Sequence, residues 1–443
     1  MRRNSKANQT EPHLRVYTNR AVLVFEDGTE IVFEEGSQSE QAQKRYKQIC
    51  DHLEKGWLES LYDQLPNAVQ DERLSISEEV RQCIDQIVSS VTSEVGRAVA
   101  GLTVLQLCIK CLEPQQSIRL HKGGRGSFSW REGVSMRRLD SQFITPFLRK
   151  HDLLKINRYG LFMTRSLAEN YPYTQFYKAS IRGAKQAWLH LIDFVEAGKV
   201  DSCNALKYLL ACLRNRADRF KYLADEAIQV TTQILQPAAD QEATQSLISQ
   251  HISMSSYPAR LLEVAMHSFL QVLQARQVLT GRLQPLCQMR TANKKHRNVG
   301  DIEIVNDYGS VIEAWDSKYG KRYLHDELFE LWEKLQGKSV QLAGFVVDEP
   351  PDIRPETKQL MQEIMEETES EIKILTLDEW IHFQIGRAGL QEQTEQVVFE
   401  WILAYVECLC QRRRDMAPID EPADQWVQDW IYLAKNRLAT DEA

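Results

Sequence analysis

Apolar and polar positions alternate most clearly between residues 300 and 321, in the stretch GDIEIVNDYGSVIEAWDSKYGK. Ile302, Ile304 and Val305 make a first short strand, Asn306-Asp307-Tyr308-Gly309 supplies turn residues, and residues 311–319 make a second strand. Strand side chains point to alternate faces, so Ile312, Ala314, Asp316 and Lys318 share one side while Val311, Glu313, Trp315 and Tyr319 take the other. An acid and a lysine therefore stand side by side. Around this pair the pattern predicts a helix over 258–276, a strand over 286–291, a helix over 323–336 and a buried strand within SVQLAGFVVDE at 339–349. A helix over 355–369 follows Pro350-Pro351, a further strand falls at 372–377, and amphipathic helices occupy 391–410 and 425–438.

The N-terminal half is patterned differently. Residues 1–13 read as disordered, and LRVYTNRAVLVFEDGTEIVFEEG then alternates around Glu26-Asp27-Gly28, a hairpin that closes by residue 38. From 39 to 112 the period turns helical, with Leu53, Trp57, Leu58 and Leu61 in one segment and Val80, Ile84, Ile87 and Val88 in another. Residues 171–250 are again helical. Between them lies a short helix from Ser141, a second opening at Thr145-Pro146, and LLKINRYGLFMT as strand, turn and strand. That order resembles a winged helix-turn-helix over 135–166, which implies Thr145 to His151 as the recognition helix and Asn157 to Gly160 as the wing tip. The plain alternative is a helix and hairpin packed on the body of the protein.

Charge sharpens this reading more than composition does. The 443 residues are long enough for two or three domains, and a formal charge of −8 argues against indiscriminate coating of nucleic acid. Basic residues are nevertheless concentrated. Residues 119–165 hold Arg119, Lys122, Arg125, Arg131, Arg137, Arg138, Arg149, Lys150, Lys155, Arg158 and Arg165 against Glu132, Asp140 and Asp152, with Phe128 and Trp130 interleaved in a glycine-rich loop. Such a loop offers amides, arginines and aromatic faces to DNA, although it lacks the ending of a P-loop. A second basic run, with Lys294, Lys295 and Arg297, immediately precedes Asp301 and suits phosphate contacts. The nine cysteines show no regular framework and read as reduced, buried thiols. No apolar run suits a membrane span and no signal peptide is evident, so the expectation is a cytoplasmic protein with no membrane partner.

The acid and lysine of the second strand define the chemistry. Two residues along a strand are about 7 Å apart, so both side chains can reach one bound group. If the strands pair, Asp301 converges on Asp316, and two carboxylates with an ammonium make a site for a hard cation. Asp301 and Asp316-Ser317-Lys318, within this order of elements, resemble the PD-(D/E)xK nuclease signature, with Gly300-Asp301 in place of Pro-Asp. The resemblance implies an α+β fold: a mostly helical N-terminal region with the winged-helix-like segment, followed by a restriction endonuclease-like α-β-β-β-α-β core. It implies Asp301 and Asp316 as ligands of Mg²⁺ and Lys318 as the residue that positions water. Glu263 matches an accessory acid, Glu303 shares the face of Asp301 as a further ligand, and Glu313 points away unless a bulge intervenes. An ordinary charged strand edge remains the alternative.

The expected organisation is a tail and hairpin over 1–38, a helical DNA-recognition region over 39–250, a catalytic domain over 251–385 and C-terminal helices over 386–443. Those last helices pack on the core or form a dimer contact. The whole resembles a type II restriction endonuclease. This implies double-stranded DNA as substrate, a homodimer matching a symmetric site, and a cognate DNA methyltransferase as functional partner. A structure-specific or repair nuclease of the same core and a non-enzymatic winged-helix regulator are the competing readings.

Overall fold

Hydrophobic segments of the chain collect into two compact units, Met1–Arg219 and Phe220–Ala443. The computed structural model describes residues 11–65, 76–122, 129–169, 171–181, 183–235, 241–287, 298–419 and 423–441. The expected disorder over 1–13 falls almost wholly outside them.

In the first unit, β1 (His13–Val16), β2 (Arg20–Val24) and β3 (Glu30–Glu34) form an antiparallel sheet in that order, so the expected hairpin gains a third strand. The turn between β2 and β3 is held by Asp27, whose Oδ1 accepts from the Thr29 amide at 2.9 Å and hydroxyl at 2.6 Å. Ala21, Leu23 and Phe33 pack from this sheet on Leu120 and Trp130.

Helices follow: α1 (Glu40–Glu54), α2 (Trp57–Asp63), α3 (Glu78–Ser89) and α4 (Glu94–Leu112). Ser39 and Ser93 cap α1 and α4 by accepting amides of the first turn. Helix α4 is apolar on nearly every side and, by length and composition, could cross a membrane, but 78% of that span is buried inside the protein. It is the central helix of this unit. Cys111 at its end is joined to Cys203 by a disulfide, with Cα atoms 5.1 Å apart, which corrects the expectation that every cysteine is a thiol. The other seven are free.

The expected wing is not formed. Helices α5 (Met136–Leu139) and α6 (Thr145–Lys150) are joined by a π-helical stretch, Asp140–Ile144, and residues 153–163 contain no strand. Asp140 supplies the reason. Its carboxylate accepts the Thr145 hydroxyl at 2.6 Å and the Leu161 amide at 2.7 Å, so backbone polarity that a β-ladder would satisfy is met by a buried side chain. Burial pushes that carboxyl up to about 6. Gly160, at φ +100°, is needed for the approach, since a Cβ there would lie 2.4 Å from Asp140 Oδ2. Leu153, Leu154, Leu161 and Phe162 are buried, and that accounts for the strand-like pattern.

Helix α7 (Lys185–Glu196) and the first part of α8 (Ser202–Ile234) complete the first unit, whose boundary with the second falls within α8. The reason lies in the packing: Ala227, Val230 and Ile234 of α8 share a core with the elements that follow.

The second unit contains α9 (Gln241–Met254), α10 (Pro258–Ala275), β4 (Arg282–Leu283), β5 (Ile302–Val305), β6 (Val311–Lys318), α11 (His325–Leu335) and β7 (Leu342–Val347). It ends with α12 (Pro355–Thr368), β8 (Glu371–Thr376), α13 (Leu377–Ala388), α14 (Thr394–Leu409) and α15 (Ala423–Asp441). Five strands form one sheet in the order β4-β5-β6-β7-β8, antiparallel from β4 to β6 and parallel from β6 to β8. Before β5 the described chain has the short strand Arg282–Leu283; residues 286–287 of the strand expected at 286–291 are not in a strand, and residues 288–291 lie outside the described residues.

Helices α11 and α12 cover one face through Leu328, Leu331, Leu335 and Ile364, against Ala314, Ala343, Phe345 and Val347 of the sheet. The opposite face, with Ile302, Ile304, Trp315 and Val346, is covered by α10, α13 and α14. The C-terminal helices pack on this core through Trp401, Tyr405, Trp426 and Trp430. A bulge between Ile304 and Val305 reverses the expected facing of Val311 and Ile312: Val311 packs on the α11 side and Ile312 on the α10 side. From Ala314 onward the alternation runs as the pattern predicts.

Candidate active site

The ends of β5 and β6 meet where Gly300 presses against the neighbouring strand. A Cβ at that position would lie 2.8 to 2.9 Å from the Trp315 backbone, so glycine permits the approach that sets Asp301 beside Asp316. The opposite end of the pair is fixed by Asn306, whose Oδ1 accepts the amides of Tyr308 at 3.0 Å and Ser310 at 2.9 Å. Register follows from these two ends, with Ile302 opposite Trp315 and Glu303 opposite Ala314.

The two aspartates clasp one another's backbone. Asp316 Oδ1 accepts the Asp301 amide at 2.9 Å, and Asp301 Oδ2 accepts the Ser317 amide at 3.3 Å. Lys318 Nζ lies 3.5 Å from Asp316 Oδ2 and 5.6 Å from the centre of the Phe345 ring. Glu303 is half-buried beside them, with Oε1 accepting the Val299 amide at 2.6 Å. Burial raises its carboxyl above the ordinary value; amides of Val299 and Gly300 and the charge of Lys338 oppose the rise, and the charge of Asp316 adds to it.

Glu263 lies one turn into α10, and Arg260 Nη1 donates to its Oε2 at 2.6 Å. The start of α10 is tied to the end of β6 by Ser317 Oγ, which donates to the Ala259 carbonyl at 3.3 Å. Glu313 does point away from Asp316. It is buried against α13, where its carboxylate accepts from Trp315 Nε1 at 2.7 Å, Gln384 Nε2 at 2.8 Å and Arg387 Nη1 at 2.8 Å.

Sequence reasoning missed Lys334 on α11, whose Nζ is 3.3 Å from Asp316 Oδ2. A signal was present: Leu328, Leu331 and Leu335 form the buried stripe of α11, and Lys334 stands at its edge, three residues after Leu331. Among the described residues no group of three or more His, Cys, Asp or Glu side chains is arranged as a metal cage. Asp301 and Asp316, brought together by their shared backbone contacts, offer oxygen donors only, the type hard cations take together with water.

Several described basic residues of the first unit have local partners. Arg149 donates to the Ile156 carbonyl at 2.6 Å, Lys150 pairs with Glu59 at 2.9 Å, Lys155 pairs with Asp152, and Arg158 donates to the Tyr159 hydroxyl at 2.6 Å. Lys122, near the glycine-rich loop, donates to Gln38 Oε1 at 3.3 Å. Arg119 is buried and paired with Asp193 at 2.5 Å, a scaffold role. Arg125, Phe128, Lys294, Lys295 and Arg297 lie outside the described residues. This unit also holds a cavity of about 710 Å³ lined by Phe33, Arg45, Arg119, Glu132 and Asp193, among others. Of its charges, Arg45 pairs with Glu132 and Arg119 with Asp193. No protein-family model matches the chain, and no curated protein matches it.

Proposed function

We propose that the second unit is a Mg²⁺-dependent nuclease of the PD-(D/E)xK type and that the protein acts as a type II restriction endonuclease on double-stranded DNA. The observation that carries this reading is the Asp301–Asp316 clasp with Lys318 two residues further along the same strand. Its setting supports it: among the described residues the order α10-β4-β5-β6-α11-β7 is an α-β-β-β-α-β sequence, with three antiparallel strands and a fourth parallel to the third.

The donor set fits Mg²⁺, which takes a few carboxylate oxygens and keeps water and phosphate oxygens for the rest. Asp301 and Asp316 would hold it, with Glu303 beside them; when bound it supplies charge stabilisation at the phosphate and acidifies water. Lys318 orients the attacking water through its ammonium. In the net reaction the water oxygen bonds to phosphorus as the P–O3′ bond breaks, giving a 5′-phosphate and a 3′-hydroxyl that takes up the proton. Cutting both strands of a symmetric site calls for a homodimer, and protection of the host genome calls for a methyltransferase of the same specificity.

The regulator reading loses its wing, since residues 153–163 carry no strand. The test is to incubate the protein with long unmodified duplex DNA, with Mg²⁺ and with EDTA, beside Asp316→Asn. Discrete Mg²⁺-dependent fragments absent from the variant are expected. A smear would replace sequence specificity with a structure-directed or non-specific nuclease. DNA left intact, whatever its methylation, would overturn the enzyme reading.

A further inference from the structure

Two ammoniums converge on a single carboxylate oxygen. Lys334 approaches Asp316 Oδ2 to 3.3 Å and Lys318 to 3.5 Å, while the Asp316 side chain is only 6% exposed. The lysines come from different elements, Lys318 from β6 and Lys334 from α11, so their meeting is a product of packing and not of sequence adjacency. Leu328, Leu331 and Leu335 seat α11 on the sheet and aim Lys334 inward. Its side chain is 25% exposed, so part of its hydration has been given up.

One lysine suffices to neutralise one carboxylate, and a second, partly desolvated, has a cost unless another anion answers it. With Lys338, whose charge acts on Glu303, three lysines already answer the three carboxylates Asp301, Glu303 and Asp316. A divalent cation held by those carboxylates tips the cluster positive. The group that restores balance is an anion presented next to Asp316, which in a nuclease is the phosphodiester.

We propose that Lys334 is a second phosphate-binding residue, which rests on Asp316 in the metal-free protein, yields that carboxylate to a divalent cation, and then contacts the DNA backbone. This rests on the nuclease reading above. It makes Lys334 a competitor of the cation before DNA arrives and an aid to DNA afterwards, so removing it has opposite effects on two measurements.

The experiment uses the full chain. Calcium binding without DNA is measured by calorimetry, and Mg²⁺-dependent cleavage by fragment appearance, for the wild type, Lys334→Met, Lys334→Arg and Asp316→Asn, with thermal unfolding of each. Lys334→Met is expected to bind Ca²⁺ about tenfold tighter and to cleave about a hundredfold more slowly. Lys334→Arg keeps a positive charge and should recover most of the cleavage. A merely structural lysine would lower the unfolding temperature without tightening Ca²⁺ binding. Unchanged Ca²⁺ affinity and cleavage in Lys334→Met, with a wild type that binds and cuts in an Asp316-dependent way, would overturn this proposal alone. A wild type showing neither Asp316-dependent binding nor cleavage would overturn the nuclease reading with it. Should Lys334→Met fail to fold, Lys334→Gln carries the same two measurements.

Discussion

Strand β6 carries two buried carboxylates on opposite faces, and they are held in different ways. Glu313, facing α13, is gripped by an indole, an amide and a guanidinium, all within 2.8 Å. Asp316, facing α11, has one backbone amide at 2.9 Å and two lysines at 3.3 and 3.5 Å. Both are nearly dry and both have cationic neighbours, so neither burial nor charge separates them. What separates them is how firmly the acceptor oxygens are occupied. Glu313 has short directional partners fixed by packing, the mark of a structural residue. Asp316 Oδ2 is met by flexible ammoniums at long range, partners that a cation can displace.

The largest expected effect follows from that contrast. Asp316→Asn should abolish cleavage, a loss of at least about a hundredfold, while changing unfolding stability by no more than about 1 kcal/mol. Glu313→Ala should do the reverse. Removing a buried carboxylate leaves an indole, an amide and a guanidinium without their acceptor, at about 3 kcal/mol, and cleavage per folded molecule should persist. Denaturant unfolding and gel assays on both variants check the pair. The contrast breaks if Glu313→Ala, folded, is as inactive as Asp316→Asn.

The face of Glu313 also holds buried histidines that make stability depend on pH. His267 on α10 is buried, with Nε2 2.8 Å from the Gln284 carbonyl and Nδ1 2.9 Å from Gln271 Nε2. Burial, the leading cause, pushes it down to about 4 from its ordinary value. Because the folded value lies below the unfolded one, the neutral ring favours folding. That stability is complete above about pH 6.5 and is lost as the pH falls toward 4. The difference amounts to roughly 3 kcal/mol at most. His251, also buried and lowered to about 4, acts in the same direction. Unfolding at stepped pH should show His267→Asn flattening part of this slope, and an unchanged slope would remove His267 from the account.

Much of this unit was legible because its information is local. The period of two that set Ala314 and Asp316 against Trp315, and the turn at Asn306, need only neighbouring residues. The spans of α10, α11 and β7 followed from their apolar stripes for the same reason. What stayed hidden depended on distant partners. Lys334 has a target 18 residues back that only the docking of α11 defines, and β4 is two residues long, too short to carry a pattern. Cys111 and Cys203 are 92 residues apart. The false wing is the clearest case, since alternation over 153–162 reflects burial of a loop pinned by Asp140, a side chain that no strand rule consults.

The smallest expected effect tests what grips Glu313. Arg387 is its only cationic hydrogen-bond partner among the described residues, yet the arginine side chain is 40% exposed. Water can therefore take part of its place. Trp315 Nε1 and Gln384 Nε2, both buried, remain as donors in Arg387→Ala, so the loss should be about 1 kcal/mol, well below that of Glu313→Ala. Raising the salt concentration should weaken the wild type by no more than this amount. If Arg387→Ala costs as much as Glu313→Ala, ion pairing and not directional neutral donors fixes this carboxylate. The distinction drawn from Asp316, whose near partners are also cations, would then rest on flexibility and distance alone.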